Sequence, residues 1–170
     1  MEIFYVDADK FKKNHNFHTL KKYADIELKT EKRFYEYTIG RYLVKTAAKD
    51  FFNIKDSEII VTEYGKPVFK NSDINFSISH SKNIVIACLD TNPCGIDIEY
   101  IKQRDLNKLS KFFKTEFNNL NDFYKFWTLK EAVYKLGKSP NYKYNTSFNN
   151  YCLTIVSDNE IINPKITEIK

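Results

Sequence analysis

Two carboxylates in the run Gly95–Glu99 (GIDIE), Asp97 and Glu99, alternate with Ile96 and Ile98. In an extended strand the acids leave by one face and the isoleucines by the other. Paired carboxylates on one face suit a small, hard divalent cation. Further on, in Phe126–Lys135 (FWTLKEAVYK), Trp127, Glu131 and Lys135 recur at helical spacing along a single stripe, adding a third acid and an ammonium group. Together the two segments have the composition of a metal and phosphate site. Each also has an ordinary reading: an edge strand with an acidic outer face, and an exposed helical Glu–Lys pair worth about a few tenths of a kcal/mol. Trp127 on the same stripe argues against full exposure.

Two smaller pieces precede these. Ser77–Ser81 (SISHS) sets His80 between two hydroxyls, and Gly65, Lys66 and Pro67 form a turn with a lysine at its tip. A lone histidine or a turn lysine is usually structural, so their interest lies in the order GKP, SISHS, GIDIE, FWTLKEAVYK.

The elements that must position these residues follow from periodicity. Met1–Val6 reads as a strand, and residues 10–29 as a poorly amphipathic helix. From Glu31 to Phe52, Phe34, Ile39, Tyr42, Leu43, Ala47 and Phe51 recur at helical spacing. Gly40 inside that helix costs about 1 kcal/mol against alanine, so it marks either tight helix packing or close approach of a backbone or ligand. Strands are expected over 59–63, 75–79, 84–90 and 95–101, the last two joined as a hairpin through the turn 91–93. Helices follow over 106–117 and 122–136, the second stopped by Gly137 and Pro140, and strands over 151–156 and 165–169 close the chain. The order is that of an α+β chain in two similar halves, residues 1–92 and 93–170.

Composition bounds the rest. With 170 residues, 42% of them hydrophobic and 16% aromatic, the chain has material for one ordinary core and no disorder signature. Its net charge of +5 is spread along the sequence with no basic tail, which suits a polyanionic ligand or an acidic partner and by itself does not separate these from nucleic acid. Three cysteines with no CxxC spacing indicate neither a disulfide framework nor a zinc site, so a reducing cytoplasm is expected. The longest apolar run, Ile84–Leu89, is too short to span a bilayer and no cleavable leader pattern opens the sequence, so neither secretion nor membrane insertion is expected.

The ordered motifs resemble the 4'-phosphopantetheinyl transferase superfamily, in its Sfp-like (surfactin-synthetase-activating) branch. The resemblance runs from about Glu31, through Gly40 and Arg41 and the EYGKP run Glu63–Pro67, to Gly137. It implies a pseudodimer of two similar α+β halves with the active site in the cleft between them, the second half abbreviated. It further implies Mg2+-dependent transfer of 4'-phosphopantetheine from coenzyme A to a serine of an apo acyl or peptidyl carrier protein, releasing adenosine 3',5'-bisphosphate. Carried over, the metal ligands are Asp97, Glu99 and Glu131. Glu131 is also the candidate base, with a bound water as the alternative, and Lys135 steadies the phosphates or orients that carboxylate. The coenzyme A contacts are Lys32 or Arg33, Lys66, Ser79 and His80, while Trp127 and Phe126 buttress the site. Ser77 stands where many relatives have asparagine, which leaves adenine or ribose contacts there open. The implied protein is a monomer that engages neither nucleic acid nor membrane.

Three readings compete. A basic module for acidic proteins or nucleic acid predicts salt-dependent binding without Mg2+, another Mg2+-dependent phosphoryl or nucleotidyl transferase would use the same acids, and a degenerate coenzyme A-binding protein predicts binding without turnover. The lack of a GxxxxGK[ST] loop disfavours a P-loop enzyme.

Overall fold

The computed structural model describes residues 1–162 and 164–169, with Phe17 described by its backbone alone. The first part of the chain runs β1 (Glu2–Asp7), α1 (Ala8–Asn14), α2 (Phe17–Lys21), α3 (Glu31–Phe52), β2 (Ile59–Val61), β3 (Pro67–Phe69), β4 (Asn75–Ser81) and β5 (Ile84–Asp90). It continues through β6 (Cys94–Tyr100), α4 (Leu106–Phe113), α5 (Leu120–Leu136), β7 (Tyr142–Phe148), β8 (Tyr151–Ser157) and β9 (Ile166–Glu168).

Two sheets face each other across a shared core. The first has the order β4-β5-β1-β9 and the second β6-β8-β7, while β2 and β3 form a small separate pair. Within the first sheet, β1 and β4 both run antiparallel to β5, and β9 joins the outer edge of β1 in parallel. Strand β5 is therefore paired on both edges and covered on both faces, which explains its continuous apolar sequence. Ile84, Ile86 and Cys88 meet Ile96, Ile98, Leu153 and Ile155 of the second sheet. The alternate residues Val85, Ala87 and Leu89, with Phe4 and Val6, pack under Ile39, Leu43, Val44 and Ala47 of α3. On the far side Ala132 and Leu136 of α5 lie against Val156. The result is helix, sheet, sheet, helix, a mixed fold consistent with the α+β expectation.

Local chemistry sets the ends. Thr30 Oγ1 accepts the Arg33 N–H to start α3, and Asn53 closes it in the left-handed region at φ 54°. Asn119 caps α5 through the Asp122 N–H, and Gly137 ends it at φ 84°.

Several expectations need correction. Strands β5 and β6 do not form a hairpin: with both edges of β5 already taken, the chain turns at Thr91–Pro93 and enters the other sheet, where β6 pairs with β8. The single helix over 10–29 is two short ones, because Asn16 takes an extended conformation and caps α2. Residues 25–30 carry no helix, and Asp25 among them pairs with Arg41 of α3. Helix α4 stops at Phe113, where Lys114 adopts φ 52°. Strands β3 and β7 were not expected, and β7 supplies the third strand of the second sheet.

Candidate functional site

Strand β4 is a wall shared by two chemically different places. Its even residues Phe76, Ile78 and His80 line a cavity of about 340 Å3. Its odd residues Ser77, Ser79 and Ser81 face β6. Period-two alternation thus puts the imidazole on one side of the strand and the hydroxyls on the other.

On the β6 side, Ser77 Oγ accepts the Ile96 N–H at 3.2 Å, Ser79 Oγ the Ile98 N–H at 3.2 Å, and Ser81 Oγ the Tyr100 N–H at 3.0 Å. Two of these hydroxyls also donate: Ser79 to Asp97 Oδ1 and Ser81 to Glu99 Oε2, both at 2.8 Å. Helix α5 closes over the same carboxylates. Lys135 Nζ lies 2.7 Å from Asp97 Oδ1 and 3.2 Å from the Ile96 carbonyl, and Trp127 Nε1 donates to Glu99 Oε1 at 3.3 Å. Glu131 stands half-buried on that stripe, one turn from each. Gly95 makes this closeness possible, since a Cβ there would fall 2.2 Å from the Ala132 carbonyl oxygen.

Burial is the main influence on the Asp97 carboxyl and lifts its pKa; the Lys135 ammonium and the Ser79 hydroxyl oppose the rise and Glu99 adds to it. Asp97 Oδ2 is buried without a hydrogen-bond partner. A carboxylate oxygen left in that state is costly unless a positive group meets it. The all-oxygen donor set Asp97, Glu99 and Glu131 fits Mg2+. Among the described residues, no three acid, histidine or cysteine side chains are already gathered as a metal cage, so Glu99 and Glu131 would have to turn toward Asp97.

The cavity on the other side of β4 is roofed by Arg33, Glu36, Tyr37, Gly40 and Arg41 of α3 and edged by Gly65 and Pro67. Glu36 Oε1 lies 3.5 Å from His80 Nδ1 and 3.6 Å from Lys32 Nζ. Arg41, 8% exposed, is paired with Asp25 at 3.0 Å and stacked on the Tyr37 ring at 4.5 Å. Desolvation holds the His80 pKa below its ordinary value; Glu36 pushes upward, and Lys135, Lys32 and Arg33 push downward.

The residues singled out from sequence therefore fall into two groups. Asp97 meets Lys135 and Ser79, and Glu99 meets Trp127, between β6 and α5, while Glu131 lies on the same helix as Lys135 and Trp127 with no contact to either acid among the described hydrogen bonds. His80 and Arg33 line the cavity, Lys32 stands 79% exposed at its outer end, and Lys66 sits between the cavity-lining Gly65 and Pro67. Ser79 and His80, neighbours in sequence, are parted by the strand. Sequence reasoning gave no site role to Glu36 and Arg41, which line the cavity, to Asp25, which pairs with Arg41, or to Ser81 at Glu99. The i, i+2, i+4 spacing of the serines was the available signal for the last.

The chain has relatives among curated proteins. It is 32% identical over 131 residues to the 4'-phosphopantetheinyl transferase gsp of Aneurinibacillus migulanus, covering 69% of this chain and 55% of that protein. It is 36% identical over 110 residues to the 4'-phosphopantetheinyl transferase Sfp of Bacillus subtilis (strain 168), covering 57% and 49%. The 4'-phosphopantetheinyl transferase psf-1 of Bacillus pumilus is 34% identical over 118 residues, covering 61% and 51%. The chain spans about half the length of the relatives it matches. No family model matches it.

Proposed function

The chain belongs to the 4'-phosphopantetheinyl transferases, in their Sfp-like branch, and we propose that it performs the transfer for which its relatives are named. Coenzyme A is the donor and a serine of an apo acyl or peptidyl carrier protein the acceptor. The observation that carries this reading is the double use of β4. A cavity suited to a nucleotide end lies on one face of the strand, and the carboxylates Asp97 and Glu99, suited to a pyrophosphate through a cation, lie on the other.

In the proposed reaction the serine oxygen of the carrier attacks the phosphorus that bears pantetheine. The bond from that phosphorus to the bridging oxygen breaks, and adenosine 3',5'-bisphosphate departs with the electron pair. Asp97, Glu99 and Glu131 would hold Mg2+, which when bound offsets the negative charge on the pyrophosphate. Glu131 takes the serine proton, directly or through a water. Lys135, already among these groups, stabilises phosphate charge. His80, Arg33, Lys32 and Lys66 surround the 3'-phosphate end. Ser79, turned toward Asp97, serves the carboxylate.

The same reading makes the protein a cytoplasmic monomer whose halves, residues 1–92 and 93–170, are related by a pseudo-two-fold axis with coenzyme A between them. In support, α3 lies over one sheet and α5 over the other, and the three cysteines are free and buried. No helix among the described residues is long and apolar enough to cross a membrane.

Incubating the protein with an apo carrier, coenzyme A and Mg2+ should add one phosphopantetheine, read by intact mass, and Glu131→Ala should lose at least about a hundredfold in rate. Binding of coenzyme A with no modification of any carrier would instead identify a degenerate relative.

A further inference from the structure

The serines of β4 occupy an unusual position in the hydrogen bonding of the fold. The N–H groups of Ile96, Ile98 and Tyr100 point away from β8, toward a neighbour that offers no backbone ladder. Three hydroxyls at i, i+2 and i+4 answer them, so the second sheet is joined to the first by side chains. A hydroxyl can accept and donate at once. Ser79 and Ser81 spend the donor on the acid one residue before the N–H they accept, Asp97 for Ile98 and Glu99 for Tyr100.

We infer that Ser79 and Ser81 are positioning residues: a single oxygen in each fixes both the seating of β6 against β4 and the orientation of a carboxylate. Each hydroxyl ties down one oxygen, Asp97 Oδ1 or Glu99 Oε2. In Asp97 this leaves Oδ2 buried and without a partner. In Glu99 the remaining oxygen has, among the described residues, the 3.3 Å indole contact of Trp127 as its hydrogen bond. Ser81 thus sets which Glu99 oxygen stays open to a cation or phosphate-bound group, and Ser79 shares that task at Asp97 with Lys135, which holds the same Oδ1 at 2.7 Å. Ser77 has the backbone contact but no carboxylate partner among the described hydrogen bonds, so it separates the two roles. The orientation of Glu99 stands on the hydrogen bonds themselves; its use for Mg2+ rests on the transferase reading above.

Trp127, the single tryptophan, reports directly on Glu99. In the metal-free protein, Ser81→Ala should move or split the indole N–H resonance, and Ser81→Thr should restore it. Ser77→Ala should leave it in place even where the melting temperature falls. Titrating Mg2+ against the same resonance should show a midpoint about tenfold weaker in Ser81→Ala, the size expected for losing a hydrogen bond to a charged group, with Ser81→Thr near the native value. An unmoved resonance in Ser81→Ala, or an equal movement in Ser77→Ala, overturns the inference and leaves the serines as sheet connectors. If Ser81→Ala moves the resonance but Mg2+ never does in the native protein, the positioning role stands and the Mg2+ reading fails.

Discussion

His80 gains its character from its neighbours. The imidazole is 43% exposed at the cavity wall, faces Glu36 at 3.5 Å, and lies in the field of Lys135, Lys32 and Arg33. Because its pKa is held below the usual 6.5, the unfolded chain takes up the proton first. This contribution to stability is therefore present above the unfolded value and is lost as pH falls through 6.5 toward the folded one. A phosphate bound beside it favours the imidazolium and reverses that preference. Lowering the pH from 7.5 to 5.5 should thus strengthen coenzyme A binding by about threefold to tenfold relative to His80→Gln, while destabilising the free protein relative to the same variant. Calorimetric titration and melting curves on both proteins at each pH remove the ligand's own titration from the comparison, and parallel binding profiles would show that His80 does not meet the phosphate. The sequence displays this histidine but not its environment. Glu36 and Arg41 are ordinary helix residues until α3 is laid over β4, and Asp25 lies in a stretch that reads as helix but has none and pairs with Arg41.

The elements read most directly from sequence were those whose environment is uniform along their length. Helix α3 keeps one buried stripe from Phe34 to Ala48 and carries clear caps, and β5 is apolar throughout because both faces are covered. Strand β7 escaped because Lys143, Asn145 and Ser147 lie exposed while the intervening side chains are only half-buried, so its alternation lacks an apolar half. The hairpin of β5 and β6 failed for a non-local reason, since nothing in the turn reveals that β1 has taken the edge. Two glycines test how tightly the observed elements meet. At Gly95 an added Cβ would face the backbone of α5, 2.2 Å from the Ala132 oxygen and 3.0 Å from the Leu136 nitrogen, and a helix backbone cannot step aside. Gly95→Ala should lose about 3 kcal/mol or more, or fail to fold. At Gly40 the nearest atom is Ile78 Cγ2 at 3.1 Å, a side chain that can turn. Gly40→Ala, helped by about 1 kcal/mol of helix propensity, should fold within about 1 kcal/mol of the native protein. It should nevertheless bind coenzyme A more weakly, because Ile78 would be pushed into the cavity it lines. Urea unfolding and ligand titration of the two variants check the contrast, and an undisturbed midpoint in Gly95→Ala would contradict the observed packing of α5 on β6.

At the scale of the molecule, β1 and β9 pair with each other and neither pairs with β4 or β6, the strands that carry the serines and the carboxylates. Strand β9 lies parallel to β1, from Ile3↔Ile166 to Tyr5↔Glu168, and covers the edge that β1 would otherwise offer to another strand. Ile166 adds to the core between the sheets, Ile169 to the core under α3, and Lys10 pairs with Glu168 at 3.4 Å. The carboxylates and the serines depend instead on β4, β6 and α5, none of which pairs with β9. Stability and site geometry should therefore separate. Removing the chain from Glu160 onward should lower the melting temperature by several degrees, at about 2–4 °C per kcal/mol for a domain of this size. It should also produce concentration-dependent association through the uncovered β1 edge, while the Trp127 indole resonance keeps its position in the monomeric fraction. Differential scanning calorimetry, light scattering and the indole spectrum measure the three effects. A truncated chain that stays monomeric with an unchanged melting temperature would show that β9 neither braces nor shields the first sheet. A shifted indole resonance would show instead that the cover on β1 reaches through the shared core to the carboxylates, because Ile3 and Ile86 of the first sheet pack directly against Ile96 and Ile98, the residues that flank Asp97.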